Sequence, residues 1–233
     1  MSPDLLVLGL TWFVVFLFST TLHEAGHAFA AWKLGDPTAY AGGQVTLNPL
    51  PHIQREPVGM VLVPLITFAA NQWMMGWASA PYDPFWAHRY PKRAAVMALA
   101  GPTANLSLVV ISALAIRIGM AVGVFYPPDS ISFNAVTASS GGWTEGLVVP
   151  LSVLFSLNLI LFLFNLLPLP PLDGSAIIPA FLSESAAQRY RDLLHQPFMS
   201  LLGLLLAWRV FPILYKPLQL LAINLLYPGP GYS

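Results

Sequence analysis

Apolar positions in this chain gather into long runs, separated by short polar or turn-forming stretches. The first run, about residues 5–33, predicts a helix longer than a perpendicular bilayer crossing needs. Lys33, Gly35 and Pro37 mark its end. Residues 34–56 carry turn signals at Gly42-Gly43, Asn48-Pro49 and Pro51, around one strand-like piece, Gln44-Val45-Thr46-Leu47. Residues 57–80 are apolar again but contain Pro64, Asn71, Gln72 and Gly76 and stop at Pro81. Further spans are predicted over about 94–124, 146–167 and 198–226, the last interrupted by Pro212 and Pro217. The segment 184–195 reads as a surface helix with Arg189, Arg191 and Asp192 towards solvent. The pattern predicts an all-α polytopic membrane protein: a bundle of about four full transmembrane helices plus a re-entrant or additional hairpin at 57–80. One membrane-embedded domain over 1–227 and a short tail at 228–233 account for the chain, with no internal repeat and no low-complexity segment.

Composition sharpens that picture. Hydrophobic residues make up 56% and charged residues only 9%, against about 25% charged in soluble proteins, and mean hydropathy is +0.67. Net charge is zero and no basic run suggests nucleic acid. Cysteine is absent, which excludes disulfides and thiolate metal sites and leaves His, Asp and Glu as candidate ligands. The N-terminus lacks a basic region before its apolar run, so that run reads as a retained span and not as a cleaved signal peptide.

The chemistry begins inside the first span, at His23-Glu24-Ala25-Gly26-His27. On a helix His23 and His27 stand one turn apart on the same face, where both imidazoles can ligate one metal ion. Glu24 then projects beside the metal, placed to take a proton from water. The bland alternative is a chance match, or a histidine pair satisfied within a helix bundle. A second stretch, Asn165-Leu166-Leu167-Pro168-Leu169-Pro170-Pro171-Leu172-Asp173-Gly174, cannot continue a helix, so backbone must open at or near membrane depth. Asp173 is the only carboxylate between Glu145 and Glu184. With the two histidines it makes a three-ligand zinc site with one open position; its plainer reading is the N-cap of a short helix from Gly174, and both can hold at once. In Gly101-Pro102-Thr103-Ala104-Asn105, small residues predict close helix packing, and Asn105 could bond across helices or to an unwound segment. Asn158 and Asn165 share a helix face. Asn158 reads as interhelical glue and Asn165, beside the broken backbone, as a donor to a substrate carbonyl or oxyanion.

Together, His-Glu-Ala-Gly-His in one span, Gly-Pro-x-x-Asn in a later one and Asn-x-x-Pro-x-Pro-x-Leu-Asp-Gly in a third resemble the site-2 protease family of intramembrane zinc metalloproteases, over about residues 10–180. The resemblance implies one Zn2+ per chain held by His23, His27 and Asp173, with Glu24 as general base, and hydrolysis of a peptide bond in a transmembrane substrate. It implies that Asn165 helps hold the unwound substrate strand or the tetrahedral intermediate, and it gives Asn105 a similar candidate role. Thr46-Leu47-Asn48-Pro49-Leu50-Pro51-His52-Ile53 is similar to a piece of compact bacterial members; His52 reads as an interfacial loop histidine, with a supporting place near the metal or at the site's mouth as the alternative. Unlike many relatives, the chain carries its motif in the first span, and neither a PDZ insertion nor a nucleotide-binding tail is expected. A zinc-holding membrane protein without catalysis, or a transporter-like scaffold, is the competing class.

Depth and charge predict a topology. His27 and Asp173 must meet, yet counting 57–80 as a full span puts residues 33 and 168 on opposite faces. A hairpin that re-enters and returns places Lys33, Arg55, Arg89, Lys92, Arg93, Arg189 and Arg191 on one face, opposite a 125–145 loop without Lys or Arg. By the positive-inside rule that face is cytoplasmic, and the site lies nearer to it, in what compact architecture suggests is a bacterial cytoplasmic membrane.

Overall fold

The computed structural model describes residues 2–194, 196, 198–229 and 231–232. In chain order it contains α1 (Pro3–Leu34), α2 (Thr38–Ala41), α3 (Leu50–Arg55), a π-helical turn (Val58–Leu62) running into α4 (Val63–Asn71), α5 (Pro84–Arg89) and α6 (Pro91–Ala121). Two short strands, β1 (Phe125–Tyr126) and β2 (Ala138–Ser139), pair antiparallel before α7 (Glu145–Asn165), α8 (Asp173–Ile177), α9 (Glu184–Leu194) and α10 (Met199–Leu226). Among the described residues four helices are long and apolar enough to cross a bilayer: α1, α6, α7 (with the short turn before it) and α10. The chain is a multi-pass integral membrane protein.

Local chemistry explains where α1 starts and stops. Ser2 Oγ accepts from the Leu5 amide at 3.3 Å, Pro3 fits the first turn, and Asp4 lies at the positive end of the helix dipole. At the other end Gly35 adopts φ 105° and its amide closes onto the Ala31 and Trp32 carbonyls.

Hydrogen bonds sort the bundle into two ends. At one, Trp12 Nε1 donates to Asn134 Oδ1 at 2.8 Å, the Tyr227 hydroxyl to the Val136 carbonyl at 2.9 Å, and Arg117 to the Leu226 carbonyl at 3.1 Å. The first half of α1, the loop between α6 and α7, and the end of α10 therefore meet. At the other, Arg93 donates to the Leu34 carbonyl at 3.0 Å and His88 meets Gln188 at 2.6 Å, joining the end of α1 to the start of α6 and α5 to α9.

The segment 57–80 is a hairpin whose entrance and exit lie side by side. Its helical arm, Val58–Asn71, reaches only about 21 Å, short of the ~30 Å hydrocarbon core. The chain reverses at Gln72, which takes a left-handed φ of 59°, and returns without regular secondary structure. On the way back the Trp77 amide donates to the Gly59 carbonyl at 3.2 Å, and Ser79 Oγ donates to Glu56 Oε1 at 2.6 Å. The arms touch so closely that a Cβ on Gly76 would run into the Gly59 carbonyl oxygen. Phe68 and Met74 near the tip pack with Trp12, Phe16, Val153 and Leu157, which moors the hairpin to α1 and α7.

Two local expectations change. The strand-like piece at 44–47 forms bends, and the small sheet lies instead between β1 and β2. Gly42-Gly43 and Asn48-Pro49 crowd it from both sides, and Thr46 Oγ1 accepts the Asn48 amide at 3.1 Å, a local turn bond that replaces ladder pairing. The last span is one helix through both Pro212 and Pro217, not an interrupted one. Neighbouring groups in a membrane re-satisfy carbonyls that a proline frees, so proline is tolerated there.

Because the chain has no cysteine of its own, single cysteines at Arg55 and Tyr82 report the hairpin directly. Both are expected to react with an impermeant thiol reagent from the same side of the membrane. Labelling from opposite sides would contradict the hairpin.

Candidate metal centre

Helix α1 sets His23 and His27 one turn apart, and both are buried, at 7% and 8% exposure. Their Nε2 atoms approach to 3.0 Å. Asp173 joins them from the first turn of α8: Oδ2 lies 3.1 Å from His23 Nε2, and Oδ1 lies 3.3 Å from His27 Nε2. The residue before it, Leu172, is extended and opens α8, so the Asp173 carboxylate is free to face the histidines instead of capping its own helix. These three residues form a group able to hold a metal ion.

The protons on this cluster can be assigned from its surroundings. His27 Nδ1 faces the Met97 carbonyl at 2.8 Å, which can only accept. His23 Nδ1 faces Asn105 Oδ1 at 2.5 Å. That oxygen assignment follows from a chain of bonds: Asn158 Nδ2 donates to the Leu154 carbonyl and to Ser19 Oγ, both at 2.8 Å, which leaves Asn158 Oδ1 to accept from Asn105 Nδ2 at 2.8 Å. Both histidines therefore carry a proton on Nδ1, and when neutral both present a bare lone pair at Nε2. Two lone pairs and a carboxylate converge with no donor between them, and Asp173 Oδ2 is buried without a hydrogen bond. Such an arrangement is repulsive until a cation enters. A tetrahedral zinc with bonds of about 2.0–2.1 Å holds its ligand atoms about 3.3 Å apart, close to the three edges seen here. The residues fit the group.

Helix α6 forms the wall behind the histidines. A Cβ on Gly101 would strike the Nε2 atoms of His27 and His23, so only glycine leaves room for the two rings. One residue on, Pro102 lacks the amide that would bond the Ala98 carbonyl, which loosens the helix ladder beside the Met97 carbonyl that meets His27.

Glu24 sits on α1 at 5% exposure and interacts electrostatically with His27. Among the described residues it makes no hydrogen bond, so its lone pairs are uncommitted. Asn105 is fully buried and spent on His23, Asn158 and the Ser19 carbonyl. It stands behind the donor group and bonds across helices, one of the two readings its sequence position left open. Asn158, read as glue, completes that buried network. Asn165 is partly buried at the end of α7; its Nδ2 bonds the Leu161 carbonyl of its own helix at 3.0 Å, and it is not among the metal-ligating group. His52 is buried in α3, not exposed in a loop, with Nε2 3.2 Å from the Thr46 carbonyl. The sequence reading missed Met97, whose contact is made by backbone and leaves no trace in residue identity. It also took Gly101 only as a packing residue; its place four residues before Asn105 was the available signal.

A family model described as peptidase family M50 matches residues 11–208. A Bacillus subtilis (strain 168) protein named "Putative zinc metalloprotease YwhC" is 36% identical over 166 residues, 71% of this chain and 66% of its own length. Proteins named "Putative zinc metalloprotease Rip2" are 30% identical over 165 residues in Mycobacterium tuberculosis (strain H37Rv) and 28% over 158 residues in Mycolicibacterium smegmatis. These alignments cover 70% and 68% of this chain, and 53% and 52% of the relatives. The chain thus spans just under two thirds of the Bacillus relative and about half of the mycobacterial ones. No solved structure matches it.

Histidine-orienting partners typically contribute about 10–100-fold to metal affinity. Asn105→Ala is therefore expected to weaken zinc binding by about that factor in a chelator competition, with little loss of helix content. Gly101→Ala, which pushes a methyl into both ligands, is expected to lower zinc occupancy at least as much. Unchanged affinity in both variants would contradict the proton assignment and the ligand set together.

Proposed function

The chain belongs to peptidase family M50, and from that membership and the geometry of its donor cluster we propose that it is an intramembrane zinc metalloprotease of the site-2 type. In this reading it hydrolyses peptide bonds within or near transmembrane segments of membrane proteins. The observation that carries the proposal is the meeting of two histidine lone pairs and a carboxylate, at membrane depth, beside an uncommitted glutamate.

His23, His27 and Asp173 would hold one zinc per chain. Zinc bound there supplies Lewis acidity, which polarises a carbonyl and makes water more acidic. Glu24 accepts the proton released as water attacks and returns it to the leaving amine. Asn105 and the Met97 carbonyl keep both imidazoles in the ligating tautomer throughout. Asn165, beside the broken backbone after α7, has its Oδ1 uncommitted among the described residues and would hold an unwound substrate strand. Unwinding is needed because a helix hides its carbonyls in internal hydrogen bonds. The non-helical return arm of the hairpin would offer backbone groups to that strand.

Seven of the ten basic residues belong to the end of the bundle where α1 stops and α6 starts, or to the loops and helices joined to it. The positive-inside rule supports a cytoplasmic placement of that end, in the cytoplasmic membrane of a bacterium, with the site nearer to it.

A panel of single-span reporters, with and without helix-breaking residues, tests the proposal when incubated with the purified chain and with Glu24→Gln at matched zinc. The parent is expected to cut the reporters with helix-breaking residues and to stop when chelated. The variant should lose about 10²–10⁴-fold of the rate while keeping its zinc. Zinc held by both proteins and cleavage by neither, over the whole panel, would favour a zinc-binding membrane protein without catalysis.

A further inference from the structure

Helix α10 carries two cations that no described residue answers. Arg209 and Lys216 are both exposed, and among the described residues neither makes an ion pair, hydrogen bond or ring contact. Seven residues apart, they share one face at 100° per residue. That face is opposite the buried side, where Ala207 packs with Leu167 and Leu172 and Gly203 closes on the Pro170 carbonyl. At 1.5 Å per residue the helix is about 42 Å long, and each charge lies only about 5 Å from its midpoint. Ordinary interfacial lysines and arginines lie much nearer to helix ends. Cations at such depth nearly always face a partner or a water-filled cavity, because a lone one is costly in hydrocarbon. Pro212 falls between them and lacks the amide that would bond the Trp208 carbonyl within the helix ladder.

A second copy of the chain would not neutralise this face. Inside the spans the only acidic side chain is Glu24, which is buried at the metal group; Asp4 and Glu145 sit at helix ends. Pairing α10 with itself brings cation to cation. We propose that this face of α10 docks a transmembrane helix of another protein, one that carries Asp or Glu about seven residues apart near mid-membrane. Leu205 and Ile213, exposed on the same side, supply the apolar part of the contact. The inference rests on charge and depth along α10 and stands apart from the hydrolytic reading of the metal group.

The test uses the full chain in phosphatidylcholine vesicles, with a fluorescence donor on a cysteine at Leu225, which is exposed near the end of α10 and off the face of Arg209 and Lys216; the chain has no other cysteine. Acceptor-labelled leucine-alanine helices carry two Glu seven residues apart, or two Gln in their place, and binding is read at mildly alkaline pH. Energy transfer is expected to half-saturate at about five-fold lower density for the Glu helix. Arg209→Gln with Lys216→Gln should erase that preference, and Arg209→Lys with Lys216→Arg should keep it. Equal half-saturation for the two helices would overturn the proposal and leave lipid headgroups as what meets the cations. So would a preference that survives the double Gln variant, or strong transfer between labelled copies of the chain without any added helix.

Discussion

Two imidazole lone pairs and a carboxylate, held face to face, stand at the centre of this fold. The Met97 carbonyl and Asn105 Oδ1 fix the histidine protons on the far side of each ring, which turns two Nε2 lone pairs towards Asp173. Leaving even one buried polar atom unsatisfied costs about 1–3 kcal/mol. The arrangement is unfavourable as protein alone and favourable around a cation. Everything packed near it serves to keep it together: Ser19, Asn105 and Asn158 tie α1, α6 and α7 into one buried network, and Gly101 lets α6 lie against the rings.

The membrane imposes the second constraint. Asp173 arrives from a segment that cannot be helical, and open backbone at depth must be buried in protein or line a cavity. The bundle satisfies this by folding the proline-rich stretch against α10 through Leu167, Leu172 and Ala207, while α8 packs on α6. The return arm of the hairpin adds a second non-helical piece, moored to α1 by Phe68, Met74 and Trp12. Unwound chain is thus concentrated around a hydrophobic interior, as required of a site that would act on an unwound peptide. On the side away from the proline-rich stretch, α10 turns Arg209 and Lys216 outward.

Much of this was legible in residue spacing. A four-residue step between histidines is a helical turn, and three prolines in four positions must break a helix, so both sources of the donor group stand out in the sequence. The re-entrant hairpin followed from a depth argument, since His27 and Asp173 cannot meet if 57–80 crosses fully. Backbone contacts were out of reach: nothing in the identity of Met97 says its carbonyl will meet an imidazole. Spacing left Asn105 between a bond across helices and a bond to an unwound segment, because it gives a helix face but not the neighbour that claims it. The strand expected at 44–47 failed for a related reason, since a strand needs a partner, and turn-forming residues on both sides left it none. The buried place of His52, close to the Thr46 carbonyl, depends on how those bends fold back.

Zinc X-ray absorption on the purified chain addresses the central claim most directly. The account predicts one zinc per chain, with two imidazole nitrogens and oxygen in its coordination shell at about 2.0–2.1 Å, and loss of one imidazole in His27→Ala. A well-folded chain that takes up no zinc, or a spectrum whose ligands are unchanged when His27 or Asp173 is replaced, would contradict it.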